Sequence, residues 1–312
     1  MKRLEQITLR QLRALQFITE HGTISAAAQA MGLTGPAVHS QLKTLEEAIG
    51  SKLIFREGKQ RNSLTQQGQV LCEAEAQVRA TLERAIRSID ALDKGRKGAV
   101  VLGAVSTAKY FAPRIVAKLD AAFPDIEVAL KIANRSETIT ALQRGDYDLC
   151  IMGRPPRQPL AEAVSLADHP HVLIAPPDHP LAGRAEASDR DLCSERFILR
   201  EPGSGTRMLA ERYLDQLAET CTGARLEMDS NETIKQAVMN GLGVALISAH
   251  TVLHELASGR LVTLKAAGTP ILRKWYLLTP MEFEPSTAAR IVGDWIVENA
   301  DRCFRELYAG TG

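Results

Sequence analysis

Ser106 and Lys109 stand three apart in STAK, the S-x-x-K spacing with which penicillin-interacting serine enzymes ease the deprotonation of a serine. The companions of that chemistry are missing. ASDR at 187–190 supplies no S-D-N, and no K-T-G follows it. Lys109 therefore reads as a cation on a helix surface. GSGTR (203–207) lacks the lysine of a phosphate-binding P-loop, which sets nucleotide hydrolysis aside. His169, His171 and His179 crowd DHPHVLIAPPDHP, yet no metal-ligand spacing on a helix accompanies them. They read as turn and strand-edge histidines. With no nucleophile elbow and no H-E-x-x-H, the chain is expected to be no enzyme and to hold no metal and no cofactor.

What remains is the chemistry of binding, at two kinds of helix start. In LTGPAVHSQLKTLE (33–46), Thr34 can cap a helix and Pro36 suits its first turn. Val38, Leu42, Leu45 and Ile49 give one buried stripe. The opposite side carries Gly35, His39, Ser40, Lys43 and Thr44, which are small, polar or cationic. Such a face lets a helix enter the DNA major groove, where bulky apolar groups would block approach. Lys43 can reach a phosphate or a guanine edge.

The second kind recurs later in the chain. Ser106 and Thr107 follow the strand candidate VVLGAV; Asn134 and Glu137 have capping-box spacing; PGSGT (202–206) and SNETI (230–234) repeat the strand, polar turn, helix layout. Unsatisfied amides at helix starts favour anions, and in open α/β sheets such turns cluster at the strand ends where ligands bind. Arg135, Arg154 and Arg200 can add positive charge to Ser204, Thr206 and Asn231.

The elements that must position these residues follow from periodicity. Leu9, Leu12, Leu15 and Ile18 make a first helix; Thr23 or Ser25 starts a second, alanine-rich one; Gly32 permits the turn into the third. Helix, short glycine-containing turn, helix is a helix-turn-helix. KLIFREGKQRNSLT reads as a basic hairpin whose Arg56, Lys59 and Arg61 could neutralise phosphates. From Thr65 to Asp93 runs a stretch without proline in which Leu71, Val78, Ala85 and Leu92 fall seven apart, as do Leu82 and Ile89. That heptad seam predicts a partner helix from a second copy. Strands and helices then alternate, starting with a helix expected from about Thr107 to Phe123, which means an α/β sheet with helices on its faces.

Composition is consistent with this plan. A chain of 312 residues implies more than one domain. The overall charge of +1 hides a local excess, since residues 1–65 hold nine basic and five acidic side chains. Five scattered cysteines, several within apolar runs, read as buried structural thiols and suit a reducing compartment. No signal-peptide pattern and no membrane-length apolar run is visible, so a cytoplasmic protein without a membrane partner is expected.

TISAAAQAMGLTGPAVHSQLKTLEEAIGSKLIFR (23–56), continued by LTQQG (64–68), resembles the winged helix-turn-helix of the LysR-type transcriptional regulators. The resemblance covers essentially the whole chain. It implies an α+β multidomain fold: a winged helix-turn-helix (1–64), a long linker and dimerisation helix (65–93), a hinge (94–98), and a two-lobed α/β effector domain of periplasmic-binding-protein type (99–312). Lobe I is expected at about 99–165 and 267–312, lobe II at about 166–266. STAKYFAPR, IMGRPP, APPDHPLAG, REPGSGTR and SNETIKQAV further resemble the branch that controls Calvin-cycle carbon-fixation operons.

The chain departs from the family where Gly35 stands for the usual glutamine, His39 for serine, and Ile24 and Ile54 for aromatic residues. Those departures fall on the DNA-reading part, so a regulator of a different metabolic operon is the alternative; a cytoplasmic solute-binding protein without DNA function is the alternative of another class. The resulting expectation is a DNA-binding activator, a dimer of dimers on double-stranded promoter DNA that controls access of RNA polymerase. DNA contacts are assigned to Thr23, Ser25, Thr34, Gly35, Pro36, His39, Ser40, Lys43, Arg56, Lys59 and Arg61. Effector contacts are assigned to Ser106, Thr107, Asn134, Arg135, Arg154, Arg200, Ser204, Thr206 and Asn231; the family places such contacts at positions matching Ser106, Thr107, Arg154 and Thr206. The effector is expected to be a small anionic metabolite, with ribulose 1,5-bisphosphate, phosphoenolpyruvate and NADPH as candidates.

Overall fold

Thr8 and Gln11 exchange side-chain and backbone hydrogen bonds to open α1 (Leu9–His21), satisfying amides that a first turn leaves without partners. The computed structural model describes residues 3–55, 62–217 and 223–309, in two units, Met1–Ile86 and Arg87–Gly312. In the first unit, α2 (Ile24–Met31) starts at Thr23, whose hydroxyl accepts from the Ala26 amide at 3.1 Å. Gly32, at φ +65°, makes the left-handed turn towards α3 (Gly35–Ile49). Thr34 holds the N-cap position of α3 but makes no side-chain cap, contrary to expectation. Pro36, in the first turn, removes one of the two amides such a cap would use.

The three helices close on Leu15, Ile18, Val38, Leu42 and Leu45, with Ala27 and Ala28 as the small residues of α2 in that core. The buried carboxylate of Glu46 accepts from the Leu53 amide at 3.0 Å and from Lys52 Nζ at 2.7 Å, tying the end of α3 to the next strand. β1 (Ile54–Phe55) pairs antiparallel with β2 (Ser63–Leu64). Arg56, Lys59 and Arg61 lie outside the described residues.

Next comes α4 (Gln66–Asp93), 28 residues or about 42 Å of helix. The Thr65 hydroxyl accepts from the Gly68 amide and donates to the Lys52 carbonyl at 2.8 Å. A Cβ on Gly68 would lie 2.0 Å from the Leu53 carbonyl oxygen, so only glycine lets α4 rest on that backbone. Val78, Leu82, Ile86, Ile89 and Leu92 stay exposed along α4.

In the second unit β3 (Gly98–Val105) lies between β4 (Ile126–Ala133) and β5 (Leu149–Met152), parallel to both. α5 (Ala112–Ala122) and α6 (Arg135–Arg144) make the crossovers that parallel pairing requires. The helix expected from Thr107 begins instead as a 3₁₀ turn, Ser106–Tyr110, and α5 starts only at Ala112. Pro113 then falls in the first turn of α5, the part of a helix that tolerates it.

The chain continues through β6 (Ala161–Ala175), α7 (Asp189–Ser194), β7 (Phe197–Arg200), α8 (Gly205–Leu217), β8 (Arg225–Met228) and α9 (Asn231–Met239). It ends with β9 (Ala245–Ser248), α10 (Leu253–Ala257), β10 (Val262–Leu264), β11 (Ile271–Pro280) and α11 (Thr287–Ala309). β6 pairs antiparallel with β11 from His171 opposite Ile271 to Ala161 opposite Pro280, with a register shift between Trp275 and Tyr276. Its C-terminal part also pairs with β9 and β10.

One apolar cluster gathers Leu102, Phe111, Ile151, Trp275, Val292 and Ile296. Two others gather Leu173, Leu199, Leu214 and Leu246, and Ile174, Ile198, Val238 and Ile247. β6 contributes Leu166 to the first cluster and Leu173 and Ile174 to the others.

Of the cysteines, Cys72, Cys150 and Cys303 are free, whereas Cys193 is disulfide-bonded, its partner outside the described residues. Cys193, half-buried against the cluster around Leu173 and Leu214, thus departs from the free thiols that a reducing compartment leads one to expect. Among the described residues no helix is long and apolar enough to cross a membrane.

Gly68→Ala is expected to lower the denaturation midpoint of the first unit by the equivalent of about 1–3 kcal/mol through overpacking against the Leu53 carbonyl, read by urea titration with far-UV circular dichroism.

Candidate functional site

On α3, Thr34, Pro36, Ser40 and Lys43 are exposed and Gly35 and His39 half-buried, while Val38, Leu42 and Leu45 face the core. Lys43 lies 3.7 Å from Glu47 in a fully solvated pair, which competes little with a phosphate. Thr23 and Ser25 at the start of α2 are exposed as well, although the Thr23 hydroxyl is engaged in its cap. This face is polar, cationic and unobstructed, with nothing within 4 Å of the space a Gly35 side chain would fill.

In the second unit a cavity of about 80 Å³ is lined by Ser106 and Thr107, Arg135, Gly153 and Arg154, Ser204 to Thr206, and Arg212 and Arg273. Two helix N-termini meet beside it. The Ser136 amide in the first turn of α6 donates to the Gly203 carbonyl just before α8, at 3.1 Å. Gly203, at φ +89°, supplies the turn, and a Cβ there would come within 3.0 Å of Ser136. The stem of Arg135 runs 3.3 Å from where a Gly205 Cβ would be. The α6 amides of Ser136 and Glu137 are already taken by Gly203 and Asn134, so what this start offers an anion is chiefly the positive end of its dipole.

Charge reinforces that polarity. Arg135, Arg154, Arg212 and Arg273 all line the cavity, and none forms an ion pair among the described residues. No carboxylate lines it. Arg135 donates to the Arg154 carbonyl at 2.5 Å, and burial first, then the nearby charges of Arg154 and Arg212, push its guanidinium below the usual range. Such a site is destabilised by its own charge and relieved by an anion. Arg212 and Arg273 were not singled out from sequence: one is an ordinary helix cation by spacing, the other one of two in RKW.

Three of the sequence-assigned residues are occupied elsewhere. The Asn134 side chain accepts from the Glu137 amide at 3.0 Å as the cap of α6. Arg200 and Asn231 do not line the cavity. Arg200, 3 % exposed, binds Glu201 through Nε at 2.6 Å and Nη2 at 2.8 Å, and donates through Nη1 to Asn231 at 2.5 Å. Its remaining reach is to the Ser106 hydroxyl, 3.3 Å away. A neutralised, buried guanidinium has no charge left for a ligand.

Lys109 of the S-x-x-K stretch lies 5.2 Å from the Tyr110 ring centroid and 3.8 Å from Glu232. The Tyr110 hydroxyl donates to Glu232 at 2.5 Å, and Lys235 pairs with Glu232 at 3.0 Å and Glu255 at 3.1 Å. Lys109 thus belongs to this network and leaves Ser106 without a base.

The histidines differ from expectation. His169 and His171 are interior residues of β6, each 4 % exposed, and both line the cavity. His179 alone matches a turn, 3.4 Å from Glu195. Pro170 sits opposite Leu272, and β9 begins pairing only at His171 on the other side, so its missing amide disrupts no ladder there.

Comparison with known proteins gives two family matches: "Bacterial regulatory helix-turn-helix protein, lysR family" over residues 9–69 and "LysR substrate binding domain" over residues 93–301. The HTH-type transcriptional regulator CbbR of Cereibacter sphaeroides is 47% identical over 94% of this chain and 96% of its own length. A RuBisCO operon transcriptional regulator of Allochromatium vinosum is 36% identical over 96% of this chain and 99% of its own. The regulatory domain of Synechocystis CcmR, solved in complex with 2-PG, matches with TM-score 0.62 and 34% identity, covering 65% of this chain and 97% of that one.

Arg200→Met is expected to destabilise the chain by about 3 kcal/mol, because it strands the Glu201 carboxylate and Asn231. Arg212→Met is expected to change stability by less than about 0.5 kcal/mol, or to raise it, because it removes like-charge repulsion. Denaturant midpoints of the two variants, compared with the unaltered chain, check this contrast.

Proposed function

The chain belongs to the lysR family of bacterial helix-turn-helix transcriptional regulators, and from that membership we propose that it controls carbon-fixation genes in response to a compact phosphorylated anion. The observation that carries the sensor reading is the cavity with two converging helix N-termini, four unpaired guanidiniums and no carboxylate. The carbon-fixation reading is supported by relatives whose names include a RuBisCO operon regulator and by the 2-PG held in the CcmR regulatory domain.

Charge and hydroxyls set the class of candidate. Phosphoenolpyruvate, with one phosphate and one carboxylate, offers two anionic groups to the guanidiniums that line the cavity. Ribulose 1,5-bisphosphate and NADPH carry phosphates that the same groups could receive. Ser106, Thr107, Ser204 and Thr206 supply hydroxyls, Arg135 and Arg154 charge; Arg212 and Arg273 join them.

The DNA grip falls to α3, with Thr34, Ser40 and Lys43 towards the duplex, His39 towards base edges, and the basic hairpin on phosphates. The exposed Val78, Leu82, Ile89 and Leu92 of α4 are covered by the same helix of a second copy, giving paired reading heads and, on further pairing, a dimer of dimers. Effector binding favours one arrangement of these heads energetically and so sets the access of RNA polymerase, as an activator.

Lys43→Ala is expected to weaken binding to the promoter beside its own gene and to lower the slope of log affinity against log salt by about 0.9, the share of one phosphate contact, with effector affinity unchanged. Salt-series anisotropy on that duplex reads both. Arg135→Met is expected to reverse the pattern, weakening phosphoenolpyruvate binding at least about tenfold by calorimetry with DNA affinity intact. Loss of both functions in either variant would mark a folding role.

A further inference from the structure

His169 and His171, two apart on β6, share one strand face, and their ring centroids are 4.2 Å apart. The His169 ring stacks on Trp275 at 3.8 Å and 14°, and its Nε2 lies 3.0 Å from the Ser248 hydroxyl. Its Nδ1 is buried and has no partner. A Cβ on Gly153 would fall 2.7 Å from that nitrogen, so glycine there keeps space beside it. The Nδ1 of His171 is 3.2 Å from the His169 carbonyl and must donate to it. In a neutral ring that leaves Nε2 of His171 as an acceptor only, unable to hydrogen-bond an anion until a proton is added.

We propose that an anion in this cavity is held by the His169–His171 pair, and that its binding draws one proton onto that pair. The proposal rests on the cavity being the effector site.

Among the described residues, the charged groups that line the cavity with the pair are all cationic and oppose that proton when no anion is bound. Arg273 on β11 is the register partner of His169; Arg135 on α6, Arg154 after β5 and Arg212 on α8 line the same cavity. The His250 ring stands 5.9 Å from that of His169, and β9 contributes only uncharged Ser248. Burial first, then neighbouring His171 and His250, hold His169 well below the usual imidazole range; burial and Arg273 bring His171 down to about 4. A phosphate group offsets part of the guanidiniums' charge and accepts from Nε2–H. The bound-state pKa is therefore raised. Between the free and bound values a proton is taken up, and affinity falls as pH rises.

Calorimetric titration of the full chain with phosphoenolpyruvate at about pH 7.5, in two buffers of different ionisation enthalpy, counts that proton. The ligand phosphate has a second pKa near 6, so its own charge is nearly constant there. The expected result is a net proton uptake clearly above zero and a Kd at least about twofold weaker at pH 8 than at pH 7. His171→Gln, with an unchanged circular dichroism spectrum, should cut the uptake by at least about half. Binding heats equal in the two buffers, with a flat Kd, overturn the proposal while leaving the effector reading intact. If phosphoenolpyruvate, ribulose 1,5-bisphosphate and 2-PG all fail to bind, both fall together. The unaltered chain alone decides the matter if the variant misfolds.

Discussion

Strand β6, laddered over most of its length to β11, contributes to all the apolar clusters described in the second unit. The Ala161–Pro280 end of that ladder lies with the cluster around Trp275, and past His171 the same β6 strand joins β9 and β10 in the others. The register shift at Trp275 and Tyr276 falls within the first cluster, to which both residues belong. The cavity is lined from the start of α6, from the start of α8 and, on the ladder itself, by His169, His171 and Arg273.

Electrostatics divides the arginines of this region into two populations. Arg200 is buried and neutralised by its neighbour in sequence, and it joins β7 to Ser106 and Asn231 as part of the framework. Among the described residues, Arg135, Arg154, Arg212 and Arg273 have no carboxylate partner. A buried ion pair contributes mainly by not being broken, whereas unpaired cations around a concave surface remain available for binding. The same distinction separates Lys109, held by Glu232 and the Tyr110 ring, from a lysine that could serve Ser106.

Much of this was legible in the sequence where local rules decide. The buried stripe of α3 and the extent of α4 follow from periodicity, and the PGSGT turn from its glycines. Long-range pairing decided the rest. His169 and His171 read as turn and strand-edge residues, and pairing with β11, a hundred residues later, places both inside a strand. Arg273 enters the cavity by that same pairing. Arg200 was assigned to the ligand although the adjacent Glu201 was visible, because charge was weighed without its counter-charge. Thr34 lost its cap to Pro36, two residues away. Two families of interaction thus escaped: those set by a distant strand, and those in which one polar group satisfies another.

The four unneutralised guanidiniums also fix how such a sensor behaves in a crowded salt solution. A concave cluster of like charge recruits whatever small anions surround it, so a metabolite reaches it by exchange and not by simple occupancy. On the proposed reading of this cavity as the effector site, the threshold of response becomes a ratio, metabolite over background chloride and inorganic phosphate, so ionic composition retunes the regulator without altering a residue.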